Sequence, residues 1–363
     1  MKKGYIIDRS VINGMCEQLY DFNIERGHSL EIAYDKIREM NVRSFRVWMH
    51  FGNIFDSYDK LNKKWAQYFH KLFSDLYDCG IRQIISMSHN WFLDHPSARN
   101  CAVMYTPARD MNADSAYKHF LEMYETSWYL AAKEFPEIEY WETGNELNHN
   151  VFLSPAGRLE NPDFPFFNHE EKAAIMTDMM FYASQGIKRA NKEMVTVMPG
   201  MAPAQALETG YIAQTLEYVY NNIDSGNFGS RDSDDFFDVL CWHPYCSAGM
   251  PVAEWKGYND DIYKVAQRHG DNGKKVFLSE FGFSDIGSSE TDTYLASAGT
   301  EKYIIARESM SYIESIHAFR LFDDYSAFNW GGNYEKYFGF YRDVCEGCTI
   351  KARGAALRDL YNS

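Results

Sequence analysis

No stretch of this chain approaches the roughly eighteen uninterrupted apolar residues that a membrane-spanning helix needs, so no transmembrane segment is expected. The N-terminus, MKKGYIIDRS, becomes charged again at Asp8, too soon for the apolar core of a secretory signal. Cysteine is sparse and odd in number: seven residues with no compact framework exclude a disulfide-stapled scaffold and read as buried or free thiols. The expected location is the cytoplasm, with secretion open to a chain whose leader has been trimmed. Positive charge is in deficit, 36 Lys and Arg against 51 Asp and Glu, and the net charge of -15 repels nucleic acid and anionic membranes at long range. Metal and nucleotide signatures are missing too. There is no early His-x-His, Cys345-x-x-Cys348 lacks a second pair, and no G-x-S-x-G elbow, P-loop or G-x-G-x-x-G follows a strand. No cofactor and no metal are expected.

Aromatic residues are abundant. With 26 Tyr, 25 Phe and 8 Trp there is material for a large core and a surplus to line a groove where flat sugar faces stack. Along the chain, short apolar runs alternate with amphipathic segments. Strands are expected near 11–15, 42–49, 81–88, 138–141, 194–198, 237–242, 275–279 and 317–322. Helices are expected near 29–41 behind a Ser29 cap, 65–79, 114–134, from an Asn168/Glu171 capping box to about 190, and near 211–221, 260–269, 300–314 and 355–361. Connections from helix to strand are short, such as Asn41, Gly80 and 135–137. Those leaving strands are long and aromatic: 90–112, 147–167, 246–259 and 323–353. Eight beats with this asymmetry predict an α/β fold, a (β/α)8 TIM barrel forming one domain over residues 1–363, with its elaborated loops at the C-terminal mouth.

Polar residues gather at the predicted C-terminal strand ends: Arg46, His89 with Asn90, Asn145 with Glu146, His243 with Tyr245, and Glu280. A carboxyl ending an apolar strand, beside an amide able to bond a hydroxyl, suits acid catalysis at a sugar. Here the motifs resemble those of clan A, the retaining (β/α)8 glycoside hydrolases. WETGNE is similar to that clan's W-E-x-x-N-E, RSFRVW to its second-strand arginine motif, WHPY to its sixth-strand H-x-Y and LSEFG to its [TS]-E-[FY]-G; the resemblance spans about 42–330. Leu147 and Asn148 follow Asn-Glu where cellulase-like members continue with Pro, which leaves β-xylosidase-like and other families open.

The resemblance implies Glu146 as general acid/base and Glu280 as nucleophile, cleaving β-linked glycosides or oligosaccharides by double displacement. Asn145 is then expected at the 2-hydroxyl, Arg46 and Tyr245 as neighbours that keep Glu280 ionised, His89 and His243 on the wall, and Trp330 beneath the sugar ring. Structural alternatives stand beside these roles: Arg46 neutralising Glu142 inside the barrel, the two histidines as hydrogen-bonded wall, Trp330 as core. The expected partner is a carbohydrate substrate, with no nucleic acid and no membrane, and the sequence sets no oligomeric state. The competing reading is a barrel that binds carbohydrate without cleaving it, though such a chain has no need of both carboxylates.

Overall fold

A computed structural model describes residues 13–88, 103–203, 211–327 and 333–363. Eight parallel strands form one sheet: β1 (Asn13–Glu17), β2 (Ser44–Trp48), β3 (Gln83–Met87), β4 (Tyr140–Glu142), β5 (Val195–Val197), β6 (Leu240–Cys241), β7 (Val276–Phe281) and β8 (Ile313–Phe319). β8 returns to pair with β1 from Asn13↔Ile316 onward. Between β5 and β6 two parallel bridges, Val197 with Val239 and Met201 with Trp242, bring the ring nearly to closure. Around it lie α1 (Leu30–Glu39), α2 (Lys63–Asp78), α3 (Ala116–Glu134), α4 (His169–Ala190), α5 (Tyr211–Asp224), α6 (Val252–Arg268), α7 (Ser289–Ser309) and α8 (Ala352–Tyr361). This is the (β/α)8 barrel.

Local chemistry sets the helix starts. Ser29 accepts from the Glu31 amide, Asn62 from Lys64 and Trp65, and Ser115 from Lys118, each satisfying donors that a first turn leaves unpaired. Asn168 and Glu171 form the reciprocal capping box that their spacing predicts. Strand residues are buried because helices cover one face and the barrel interior the other. Inside the barrel, Ser44 Oγ donates to Gln83 Oε1 at 2.6 Å and meets His317 Nε2 at 2.8 Å, so these three polar side chains are paired with one another. α8 seals the base of β1: Tyr361 Oη donates to the Gly14 carbonyl at 2.8 Å, and Asn13 Nδ2 to the Tyr361 carbonyl at 3.0 Å.

Three elements depart from the spacing. α6 begins at Val252, not near 260, because Pro251 ends the loop and Trp255 already packs inward. α7 occupies 289–309 instead of 300–314; its small residues Ala296, Ala298 and Gly299 blur the apolar stripe, and Ser288 capping the Thr291 amide fixes its start. β8 accordingly starts at Ile313, where the polar interior residues Glu314, Ser315 and His317 disguise a buried strand. β7 runs through Phe281, which places Glu280 inside its last turn of pleat.

α3 and α4 lie so close that a Cβ added at Gly186 would stand 2.3 Å from the Glu125 carbonyl oxygen. Backbone cannot yield as a side chain does. Gly186→Ala is therefore expected to cost about 1–3 kcal/mol by forcing the helices apart, read as a lowered midpoint in denaturant unfolding. An unchanged midpoint would mean the two helices part freely.

The loops after β3 and β4 are tied together. Met104–Thr106 pairs in parallel with Leu153–Pro155 as a separate two-stranded ladder at the mouth.

Candidate active site

Arg46, on β2 and 1% exposed, is the centre of the mouth. Its Nε and Nη2 donate to the two oxygens of Glu142 at 2.6 and 2.8 Å, Nη2 also reaches Asn145 Oδ1 at 2.8 Å, and Nη1 donates to Glu280 Oε1 at 2.6 Å. The guanidinium thus bonds both Glu142 and Glu280. A planar fork with five donors is the one side chain that can face three acceptors in this way. Glu142, which ends β4, is wholly buried and also accepts from the Gly200 amide at 3.1 Å and Ser279 Oγ at 3.2 Å.

Tyr245 Oη donates to the other oxygen of Glu280 at 2.9 Å. Burial alone would push the Glu280 carboxyl up. The positive charges of His243 and Arg46, then the hydrogen bonds from Tyr245 and Arg46, outweigh it and hold the group below the ordinary value of 4.5. It is a carboxylate at neutral pH. Tyr245 moves the other way: burial, then the charges of Glu280 and Glu146, raise its pKa, so it stays a phenol able to donate.

Glu146 sits on a left-handed backbone, φ 48°, held where its amide donates to the Gly200 carbonyl at 2.7 Å. A non-glycine residue in this region is strained and persists when its surroundings dictate it, as they do at functional sites. Its Oε1 lies 2.7 Å from His243 Nδ1, whose ring turns Nε2 to Ser279 Oγ at 2.9 Å. Ser279 gives its one hydrogen to Glu142, so Nε2 donates to Ser279, while Nδ1 faces two carboxyl oxygens, Glu146 Oε1 and, at 3.7 Å, Glu280 Oε2: the ring is placed to carry a proton on each nitrogen. Burial disfavours the imidazolium, yet Glu280 and Glu146 outweigh it and raise the His243 pKa. Room for this ring depends on Gly200, where a Cβ would stand 2.2 Å from Nε2.

One oxygen of Glu146, one of Glu280 and His243 Nδ1 all lie within 4.8 Å of one another. Carboxyls this close match the short separation of double displacement, roughly 5–5.5 Å, more nearly than the roughly 6.5–9.5 Å that inversion uses. The same trio is the one cluster of potential metal ligands among the described residues. An ion there would have to displace the 2.7 Å hydrogen bond and compete with Arg46 and Tyr245 for Glu280.

Arg46, Asn145, Glu146, His243, Tyr245 and Glu280 thus converge from β2, β4, β6 and β7. His89 and Trp330 lie outside the described residues. Cys16 and Glu335 escape motif reading, and Ser279 lies inside the LSEFG motif without a role read for it. Cys16, at the end of β1, receives a 3.6 Å contact from Arg46 Nη1, and burial pushes its thiol up to about 12, so it remains neutral. Ser279 links His243 to Glu142. Glu335, in the long loop after β8, lies within electrostatic reach of both Glu280 and Glu146. A lone acid between tyrosines in NYEKYF gives no signal of that proximity.

No protein-family model matches the chain. Among solved structures, it superposes on a family 39 glycoside hydrolase from the gut symbiont Bacteroides cellulosilyticus WH2, with TM-score 0.65 and 15% identity, over 98% of this chain and 66% of that one. A broad-specificity family 5 endoglucanase from Clostridium longisporum matches with TM-score 0.65 and 14% identity, over 98% and 97% of the two chains. The fold is that of glycoside hydrolases. A family 1 β-glucosidase from Thermotoga maritima agrees, with TM-score 0.59 and 13% identity, over 94% of this chain and 86% of that one. This chain accordingly spans just under two thirds of the family 39 protein and nearly the whole of the family 5 enzyme. Among the described residues, no helix of this barrel is long and apolar enough to cross a membrane.

Proposed function

We propose that the protein is a retaining glycoside hydrolase acting on β-linked glycosides or oligosaccharides, with Glu280 as nucleophile and Glu146 as acid/base. The observation that carries this reading is the pair of carboxyls within 4.8 Å in unlike surroundings. Glu280 is faced by Arg46 and Tyr245, which favour the anion. Glu146 is faced by a histidine that can hold or return a proton.

In the first step Glu280 attacks the anomeric carbon while Glu146 passes its proton to the departing oxygen, leaving a glycosyl ester on Glu280. In the second, Glu146, now a base, takes a proton from water as the water attacks the same carbon, and Glu280 leaves as carboxylate. Because Asn145 Oδ1 accepts from Arg46, its Nδ2 is left to donate to the sugar 2-hydroxyl, a bond that strengthens as charge develops in the transition state. His243 holds Glu146 in line through both steps.

Chromogenic β-glycosides of different sugars test this directly, with the first-formed anomer followed by proton NMR. Release of the dye with the β-anomer appearing first is expected. An α-anomer first would replace double displacement by inversion, and binding of sugars without release would leave a carbohydrate-binding barrel.

A further inference from the structure

The segment after β8 carries a carboxyl that the reaction as written does not use. Residues Asn333–Tyr337 form a 3-10 turn fixed at three successive points of its backbone. The Tyr334 carbonyl accepts from Ser284 Oγ at 2.6 Å and the Lys336 carbonyl from the Asp324 amide at 3.0 Å. The Tyr337 carbonyl accepts from the Asp285 amide at 3.2 Å and from Arg353 Nη2 at 2.6 Å. The next residue, Phe338, sets its ring 5.9 Å from that of Tyr245, which itself donates to Glu280. The turn is therefore docked beside the nucleophile from the loops of both β7 and β8.

Glu335, part-buried, occupies the middle of this turn and interacts electrostatically with Glu280, Glu146 and Tyr245. Among the described residues no donor is paired with its carboxyl. The cation that does bear on it, Arg320, is already committed, to Glu17 at 2.7 Å and Asp324 at 2.9 Å. Burial, then the charges of Glu280 and Glu146, push the Glu335 carboxyl up to about 7. A carboxyl so placed, part-buried and without a donor from the described residues, is open to donors that a ligand brings.

We propose that Glu335 is a specificity-determining residue, accepting hydrogen bonds from hydroxyls of the sugar ring held over Glu280 and excluding sugars that carry a carboxylate or sulfate there. This rests on the hydrolase reading above and adds the substrate class: a neutral polyhydroxylated glycone. The chemistry is complementary in both directions. Hydroxyls can bond the Glu335 carboxyl in either protonation state, whereas an added anion would face Glu280, and Glu335 where ionised, with Arg46 already held by Glu142 and Glu280.

The test compares wild type, Glu335→Gln and Glu335→Ala in the full chain, using 4-nitrophenyl β-glycosides of neutral hexoses and pentoses beside the β-glucuronide, and deoxynojirimycin binding by calorimetry. For the best neutral glycoside, kcat/KM is expected to fall about 10- to 100-fold in both variants, the range of one or two bonds to a charged acceptor. The preference for that glycoside over the glucuronide should narrow at least tenfold, which a merely structural residue would not do. Matching melting temperatures for wild type and Glu335→Gln would separate recognition from folding. A preference unchanged in Glu335→Gln overturns the inference while leaving the hydrolase reading intact. If wild type turns over no glycoside yet binds deoxynojirimycin, and Glu335→Gln weakens that binding tenfold, hydrolysis is refuted and the recognition role stands. Neither turnover nor binding in wild type refutes both.

Discussion

Glu280→Ala is expected to lose turnover of every glycoside, by about 10⁴-fold or more, because without the carboxylate no ester intermediate forms and leaving-group quality cannot compensate. The loss should be in kcat, with sugar affinity changing far less. The same substitution disturbs the barrel, since it withdraws an acceptor from the buried Arg46 Nη1 and from the part-buried Tyr245 Oη. Arg46 keeps Glu142 and Asn145, so the destabilisation should stay below the roughly 3–5 kcal/mol of a fully broken buried pair. Glu280→Gln retains an acceptor for Tyr245 and separates chemistry from folding: inactive, with a melting temperature close to that of wild type. Near-normal turnover in a folded Glu280→Gln would put the nucleophile elsewhere.

Glu146→Ala should fail in a different way. Substrates with good leaving groups need little protonation, so their first step survives, while the second slows for want of a base. Intermediate then accumulates, visible as a burst of dye. Added azide attacks that ester without base help, restores turnover and yields a β-glycosyl azide from a β-glycoside. If instead Glu280→Ala yields the β-glycosyl azide and Glu146→Ala an azide of inverted configuration, the two roles are exchanged. His243 adds a control. It contacts both carboxyls, at 2.7 and 3.7 Å, so a general electrostatic fault there would not discriminate between leaving groups as loss of Glu146 does.

Much of the fold was legible because a barrel repeats one rule eight times. Caps at Ser29 and Asn168 and glycines such as Gly80 punctuate helices, and the contrast between short and long connections tells which end is elaborated. What blurred the reading was polarity inside the barrel. Glu314, Ser315 and His317 on β8, and Ser44 on β2, are polar residues on buried strands, so the apolar run that marks a core strand is interrupted. For the site, the residues legible in sequence were those lying next to strand ends in short motifs, from Arg46 to Glu280. Glu335 was not, because its approach to Glu280 is made by a turn fastened to Ser284, Asp285 and Arg353, residues far from it along the chain. Such proximity exists only in three dimensions.

The short ladder between Met104–Thr106 and Leu153–Pro155 bears on how such a barrel can change. The residues separating Glu146 from the ladder are tightly moored: Asn148 exchanges two hydrogen bonds with Ala202, at 2.7 and 3.0 Å, and the Leu153 amide donates to the His149 carbonyl at 3.0 Å. Beyond Pro155 the chain runs outward to Asn168 before α4 begins. Growth or shrinkage of that outer stretch is mechanically insulated from Glu146, since the ladder takes up the difference. Lineages derived from this barrel are thereby free to reshape the rim while the Glu146 carboxyl keeps its place.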